Sequence, residues 1–109
     1  MEETVYRDIS NGTCIGAWPL DDGETVSVVD IAVFVDGDLV DHTYALLNKC
    51  WIIDMPEMNF VFMVVRYGKE RVNGLKLVLH DDNDTVPDGI EVRVAVVSQP
   101  MVAFVWSNK

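Results

Sequence analysis

The segment from residue 29 to residue 41 reads VDIAVFVDGDLVD and gives the clearest indication of the fold. Apolar side chains recur at every second position in its first half, a set made of Val29, Ile31, Val33 and Val35. Successive side chains of a β-strand point to opposite faces, so this spacing places the whole set on one side of a strand. The segment therefore predicts a β-strand with one buried, apolar face.

A tight turn is expected directly after this strand. Residues 36–38 read Asp-Gly-Asp, and Asp-Gly is typical of hairpin turns because glycine accepts a positive φ. The return strand is then predicted over residues 39–46. Whichever two residues form the turn, the alternation places Val40, His42 and Tyr44 on the apolar side. His42 is therefore expected to be a hydrogen-bonded histidine of the core or of a sheet edge.

Similar two-residue patterns occur along most of the chain. Further strands are predicted over residues 4–9, 13–18, 24–28, 59–67, 75–79, 90–96 and 101–106. Asn73-Gly74 and the segment Ser98-Gln99-Pro100 are typical of turns and strand breaks. The spacing predicts an all-β fold, a small β-sandwich or barrel of about 7–9 mostly antiparallel strands. At 109 residues the chain is expected to form a single β-rich domain over 1–109.

One stretch allows a different interpretation. Its larger side chains are spaced as on one stripe of a helix, namely Tyr44, Leu47, Cys50 and Trp51. Thr43 could serve as the N-cap of such a helix. A short helix near residues 43–52 is therefore the alternative to a strand that continues through this region.

The charge of the chain is strongly negative and unevenly distributed. The formal net charge is −10, and residues 1–48 hold ten acidic residues against one basic residue, Arg7. Such a protein attracts basic surfaces and repels nucleic acid and anionic membranes at long range. With no apolar run of 18 residues and no apolar leader at the N-terminus, we expect a cytoplasmic location and no membrane contact.

Motifs for catalysis, cofactors and metals are not evident in the sequence. The chain contains neither GxGxxG nor GxxxxGK[ST], and its two histidines have no catalytic partner at a recognisable spacing. We therefore predict a protein that is not an enzyme and that needs no cofactor or metal. Cys14 and Cys50 are expected to be buried thiols. The acidic loop over residues 81–89 is the best calcium candidate, although its spacing differs from an EF-hand.

The functional hypothesis is a non-enzymatic, acidic protein–protein interaction module. Its leading form is an inhibitor that presents carboxylates to a basic, nucleic-acid-binding type of partner surface. One alternative is a structural protein that packs against itself or a larger particle, and another is a calcium- or carbohydrate-binding β-sandwich. Phe34 is an exposed anchor if only one face of its sheet is covered and a core residue if both are. The predicted partner-binding residues are Asp21, Asp22, Glu24, Asp30, Phe34, Asp36, Asp38 and Asp41.

Overall fold

The chain folds into two four-stranded antiparallel sheets, which confirms the predicted all-β sandwich class. The computed structural model describes residues 2–19, 25–47, 51–67 and 72–100. The strands are β1 (Glu2–Arg7), β2 (Cys14–Pro19), β3 (Thr25–Val35), β4 (Asp38–Leu46), β5 (Ile52–Asp54), β6 (Phe60–Tyr67), β7 (Val72–Leu79) and β8 (Ile90–Pro100). The first sheet has the order β1-β8-β3-β4, and the second has the order β2-β7-β6-β5. The described ranges contain no helix long and apolar enough to span a membrane.

The core lies between the inner faces of the two sheets. Val29, Ile31 and Val33 of β3 are fully buried, as the alternation predicts. From the second sheet, the rings of Phe60 and Phe62 meet edge to face with centroids 5.5 Å apart. The other fully buried large side chains are Ile15, Met55, Leu75, Leu77, Val92 and Val94. This apolar layer supplies the main driving force for folding.

The β3–β4 hairpin turns at Asp36-Gly37, where both residues have positive φ, 52° and 88°. Positive φ at both central positions is the mark of a type I′ turn, whose twist matches the twist of paired strands. Val35 pairs with Asp38 at the base of this turn. The hairpin and its turn therefore form as the sequence predicts.

A bulge next to the turn reverses one part of that prediction. Phe34 pairs with Leu39, but the next pair joins Val33 to Asp41, so Val40 has no partner on β3. One extra residue in a strand moves every later side chain to the opposite face. The expectation that His42 and Tyr44 face the core is therefore wrong: both are exposed on the outer side of the sheet.

The alternative helix near residues 43–52 is also wrong where the structure describes it. Residues 43–46 continue β4, and pairing with β3 extends to Val28↔Leu46. Tyr44 and Trp51 are exposed while Leu47 is buried, so the stripe does not form a common buried face. Residues 48–50 lie outside the described ranges.

Two segments that were predicted to be a turn and a strand break instead lie inside continuous strands. Asn73-Gly74 lies within β7, where Gly74 pairs with Ala17 on one side and Val65 on the other. The segment 98–100 continues β8, which pairs with β3 as far as Thr25↔Pro100. The described part of β1 pairs with β8 only as far as Glu2↔Val96, so this end of β8 has one neighbouring strand in the described residues, and proline is tolerated at such an edge. The strand predicted over 101–106 lies outside the described residues.

Each edge strand of the sandwich carries a feature that discourages pairing with another chain. β1 is rich in charge, β5 has only 3 residues, and β2 is bulged between Ile15 and Ala17 and ends at Pro19. On β4, the Asp41 carboxylate accepts the backbone N–H of His42 at 2.8 Å and that of Glu57 at 3.1 Å. Bulges, charges and short lengths are the devices by which natural sheets protect their edges.

Replacing Asp41 with alanine is expected to lower the free energy of unfolding by about 1–2 kcal/mol, because two backbone N–H groups lose a charged acceptor. The matched control is Asp54→Ala, an exposed acid on edge strand β5. Urea denaturation of both variants measures the difference. Equal losses would contradict the assigned role of Asp41.

Candidate functional site

The outer face of the first sheet carries exposed apolar side chains together with charged ones. Residues directly opposite each other on antiparallel strands point to the same side. Three rows follow from the strand register, and they define the outer face: Leu39, Phe34, Glu91 and Arg7; then His42, Ala32, Arg93 and Val5; then Tyr44, Asp30, Ala95 and Glu3.

An ion-pair network connects the first two rows of this face. The Glu91 carboxylate accepts Arg7 Nη2 at 2.9 Å, Arg93 Nη2 at 2.8 Å and Arg93 Nε at 3.0 Å. Its side chain is only 13% exposed, while that of Arg7 is 71% exposed. Arg93 donates both of its bonds to Oε2 while Arg7 donates to Oε1, and the two bonds to Oε2 restrain the plane of the Arg93 guanidinium. Both basic groups are therefore held by a single acid.

Phe34 is neither a core residue nor a fully exposed anchor. Its half-buried ring lies on the outer face, and the Arg93 guanidinium covers it with its central carbon 4.0 Å from the ring centroid. A cation over an aromatic face is attracted by the negative potential of the ring. Both of the alternatives given for Phe34 are thus replaced by a third, a ring covered by a charged side chain of the neighbouring strand.

The part of the outer face that lies away from the hairpin turn combines an aromatic ring, an acid and a histidine. Tyr44 stands opposite Asp30 in the register, and 74% of its surface is exposed. His42, also on β4, contacts Asp30 Oδ1 through Nε2. Leu39, in the first row beside Phe34, is a second large apolar side chain of β4 and is 57% exposed.

The tip of the β3–β4 hairpin adjoins the outer face. Asp36 and Asp38 are exposed there, and the backbone N–H of Asp36 donates to the carbonyl of Gly89 at 3.1 Å. Asp8 approaches from the end of β1 with a φ of 54°. A cleft of about 350 Å³ lies between these segments, and its walls are Arg7, Asp8, Asp36, Gly37, Gly89, Ile90 and Glu91.

The structure separates the predicted partner-binding residues into different settings. Asp30 and Phe34 lie on the outer face, and Asp36 and Asp38 lie at the hairpin tip. Asp41 instead bonds backbone amides at the β4 edge, which gives it a structural task. The remaining three, Asp21, Asp22 and Glu24, lie outside the described residues.

Sequence reasoning did not single out Tyr44, Arg93 or Glu91 for this site. The alternation of residues 90–96 does place Glu91 and Arg93 on one face, which was a usable signal. Their partners were not visible, because contact with Phe34 and Arg7 depends on the order of strands that are distant in the chain. Tyr44 was predicted to lie on the apolar side, because the bulge at Val40, which places it on the outer face, cannot be seen in the sequence.

The metal and cysteine hypotheses concern the loop over residues 81–89 and the outer side of the second sheet. In the described ranges, no group of three or more His, Cys, Asp or Glu side chains could hold a metal ion. In the loop over residues 81–89, Asp81 Oδ1 accepts the N–H of Asn83 at 2.9 Å. Cys14 is exposed on the outer side of the second sheet, opposite Lys76, so its predicted burial is wrong. The alternation of β2 buries its neighbour Ile15 instead, and Cys50 is outside the described residues.

Comparison with known proteins found no family model, no curated protein and no solved structure that matches this chain.

Proposed function

We propose that this protein is a non-catalytic interaction module that binds the basic surface of a partner protein through the outer face and the hairpin tip. The observation that carries the proposal is the arrangement of the β3–β4 hairpin. Exposed carboxylates at its tip, Asp36 and Asp38, stand beside the exposed side chain of Leu39, and Tyr44 is exposed further along the same strand. Apolar anchors surrounded by charge are the common composition of protein–protein interfaces.

The balance of charge on this region favours a basic partner. The two arginines of the outer face pair with Glu91, and the further acids Asp30 and Glu3 on the same face leave its formal charge negative. The side-chain carboxylates of Asp36 and Asp38 have no hydrogen bond or ion pair with any residue that the structure describes. Exposed, unpaired carboxylates steer basic partners and speed their association. A partner that normally binds nucleic acid through basic side chains fits this description, and the module would compete for that surface.

Assembly through strand edges has less support than binding through a face. The bulge at Val40 and the capping of the β4 edge by Asp41 both oppose the addition of another strand.

The test uses a fluorescein-labelled peptide of nine arginines as a model basic surface. We expect the double variant Asp36→Asn/Asp38→Asn to bind it about 3- to 10-fold more weakly than the native chain at low salt, with the difference shrinking as salt is added. Asparagine accepts positive φ in this turn, so the hairpin is retained. Fluorescence anisotropy at two salt concentrations measures the effect.

The matched control is Asp81→Asn/Asp82→Asn, which removes the same charge from two exposed acids in the loop over residues 81–89. If both double variants lose the same affinity, the peptide responds only to net charge, and the hairpin tip is not a binding surface.

A further inference from the structure

The outer face contains two aromatic–carboxylate pairs built in the same way. In each pair an aromatic and an acid stand directly opposite each other on neighbouring strands. Phe34 of β3 faces Glu91 of β8, and Tyr44 of β4 faces Asp30 of β3. Directly opposed side chains of a sheet lie within contact distance on the same side.

The first pair is occupied by a guanidinium of the chain itself. Arg93 places its guanidinium 4.0 Å from the Phe34 centroid and bonds Glu91 with Nε at 3.0 Å and Nη2 at 2.8 Å. The ring attracts the flat face of the cation, and the carboxylate accepts hydrogen bonds from its edge. This pair shows that an aromatic ring beside a carboxylate on this face can bind a guanidinium group.

In the second pair, a neighbouring side chain orients the carboxylate of Asp30, but no cation covers the ring of Tyr44 in the described residues. His42 Nε2 contacts Asp30 Oδ1, which orients the carboxylate and leaves Oδ2 for another donor. The side chain of Asp30 is half exposed, and Tyr44 is the most exposed of the large apolar side chains in the described residues. No arginine or lysine in those ranges lies over the Tyr44 ring.

We propose that Tyr44 and Asp30 bind the guanidinium of a partner arginine. The inference rests on the proposed function and names the side chain that the basic partner must supply. Arginines that bind nucleic acid stack on bases and pair with phosphates. Here the tyrosine ring takes the place of a base and the carboxylate takes the place of a phosphate. Lysine fits less well, since an ammonium group has no flat face to stack on the ring.

The experiment measures binding of a nine-arginine and a nine-lysine peptide to the full chain and its variants. Tyr44→Ala is expected to weaken arginine-peptide binding about fivefold, which corresponds to the ~1 kcal/mol of an exposed cation–aromatic contact. Tyr44→Phe keeps the ring and should stay within about twofold of the native affinity. The native chain should prefer the arginine peptide, and Tyr44→Ala should reduce that preference.

Two further variants make the result specific. Asp30→Asn removes the charge but keeps an oxygen for His42, and it should weaken binding of the arginine peptide. Ile52→Ala, a truncation at an exposed position of the second sheet, should leave binding unchanged.

The possible failures are distinguishable. If the arginine peptide binds and responds to Asp36→Asn/Asp38→Asn but not to Tyr44→Ala or Asp30→Asn, the inference is overturned and the proposed function stands. Equal preference for the two peptides would also overturn it. If the native chain binds neither peptide at low salt, both the inference and the proposed function fail.

Discussion

Replacing Phe62 with alanine is expected to lower the free energy of unfolding by about 3–5 kcal/mol, the usual range for truncating a buried phenylalanine. Phe62 is fully buried at the centre of the second sheet, where it pairs with Ile53 on β5 and Leu77 on β7. Its ring also contacts Phe60 edge to face at an interplanar angle of 74°. Removing it leaves a cavity bounded by three strands that cannot readily collapse. Urea denaturation followed by fluorescence or circular dichroism measures the loss.

The matched control is Met63→Ala on the same strand. Met63 is the next residue along β6, points to the outer side of the sheet and is only half-buried. Its truncation removes half as many non-hydrogen atoms, and it removes them from a surface that water can fill, so we expect a loss of about 1 kcal/mol or less. If Met63→Ala destabilised the protein more than Phe62→Ala, the assignment of the two faces of β6 would be wrong, and the Phe62 face would not be the one that packs against the first sheet.

The fold was predictable because the alternation of apolar and polar residues is visible within a short stretch of sequence, and burying the apolar face directly stabilises a strand. Val29, Ile31 and Val33 had to share a face in any strand, and the Asp-Gly turn joined that strand to the next. The bulge at Val40 was not predictable. It depends on a choice between neighbouring registers, and Val40 packs against the core while His42 moves to solvent beside Asp30. The bulge sets which face every later side chain of β4 occupies.

The candidate site was predictable only in its charge. Exposed acids follow from composition, and Asp36 and Asp38 lie in a turn that any hairpin would place at the surface. The arrangement around Arg93 depends on β8 lying between β1 and β3, although these strands are far apart in the chain. A one-dimensional pattern carries no information about that order. Asp41 illustrates the same point, since its partner Glu57 lies 16 residues away.

The position of the Asp36 carboxylate depends on a glycine in a different turn. Gly89 has a φ of 72°, and a Cβ added there would overlap Asp36 Oδ1 and lie 3.3 Å from Asp36 Cγ. Gly89→Ala is therefore expected to lower the free energy of unfolding by about 2–3 kcal/mol, of which ~1–2 kcal/mol comes from the positive φ itself. The remainder comes from displacing the carboxylate while the Asp36 N–H stays bonded to the residue 89 carbonyl.

Gly37→Ala separates the two contributions. Gly37 has a φ of 88°, but no atom lies within 4 Å of an added Cβ, so this variant suffers only the backbone strain. The extra loss in Gly89→Ala should shrink when Asp36 is also replaced by glycine, which tolerates the turn and removes the carboxylate. Chemical denaturation of the four members of this double-mutant cycle gives the coupling energy. Because Asp36 belongs to the proposed binding surface, Gly89→Ala should also change the affinity for the arginine peptide. A coupling energy near zero would mean that the hairpin tip and the start of β8 do not hold each other in place, and that Asp36 is not positioned for a partner.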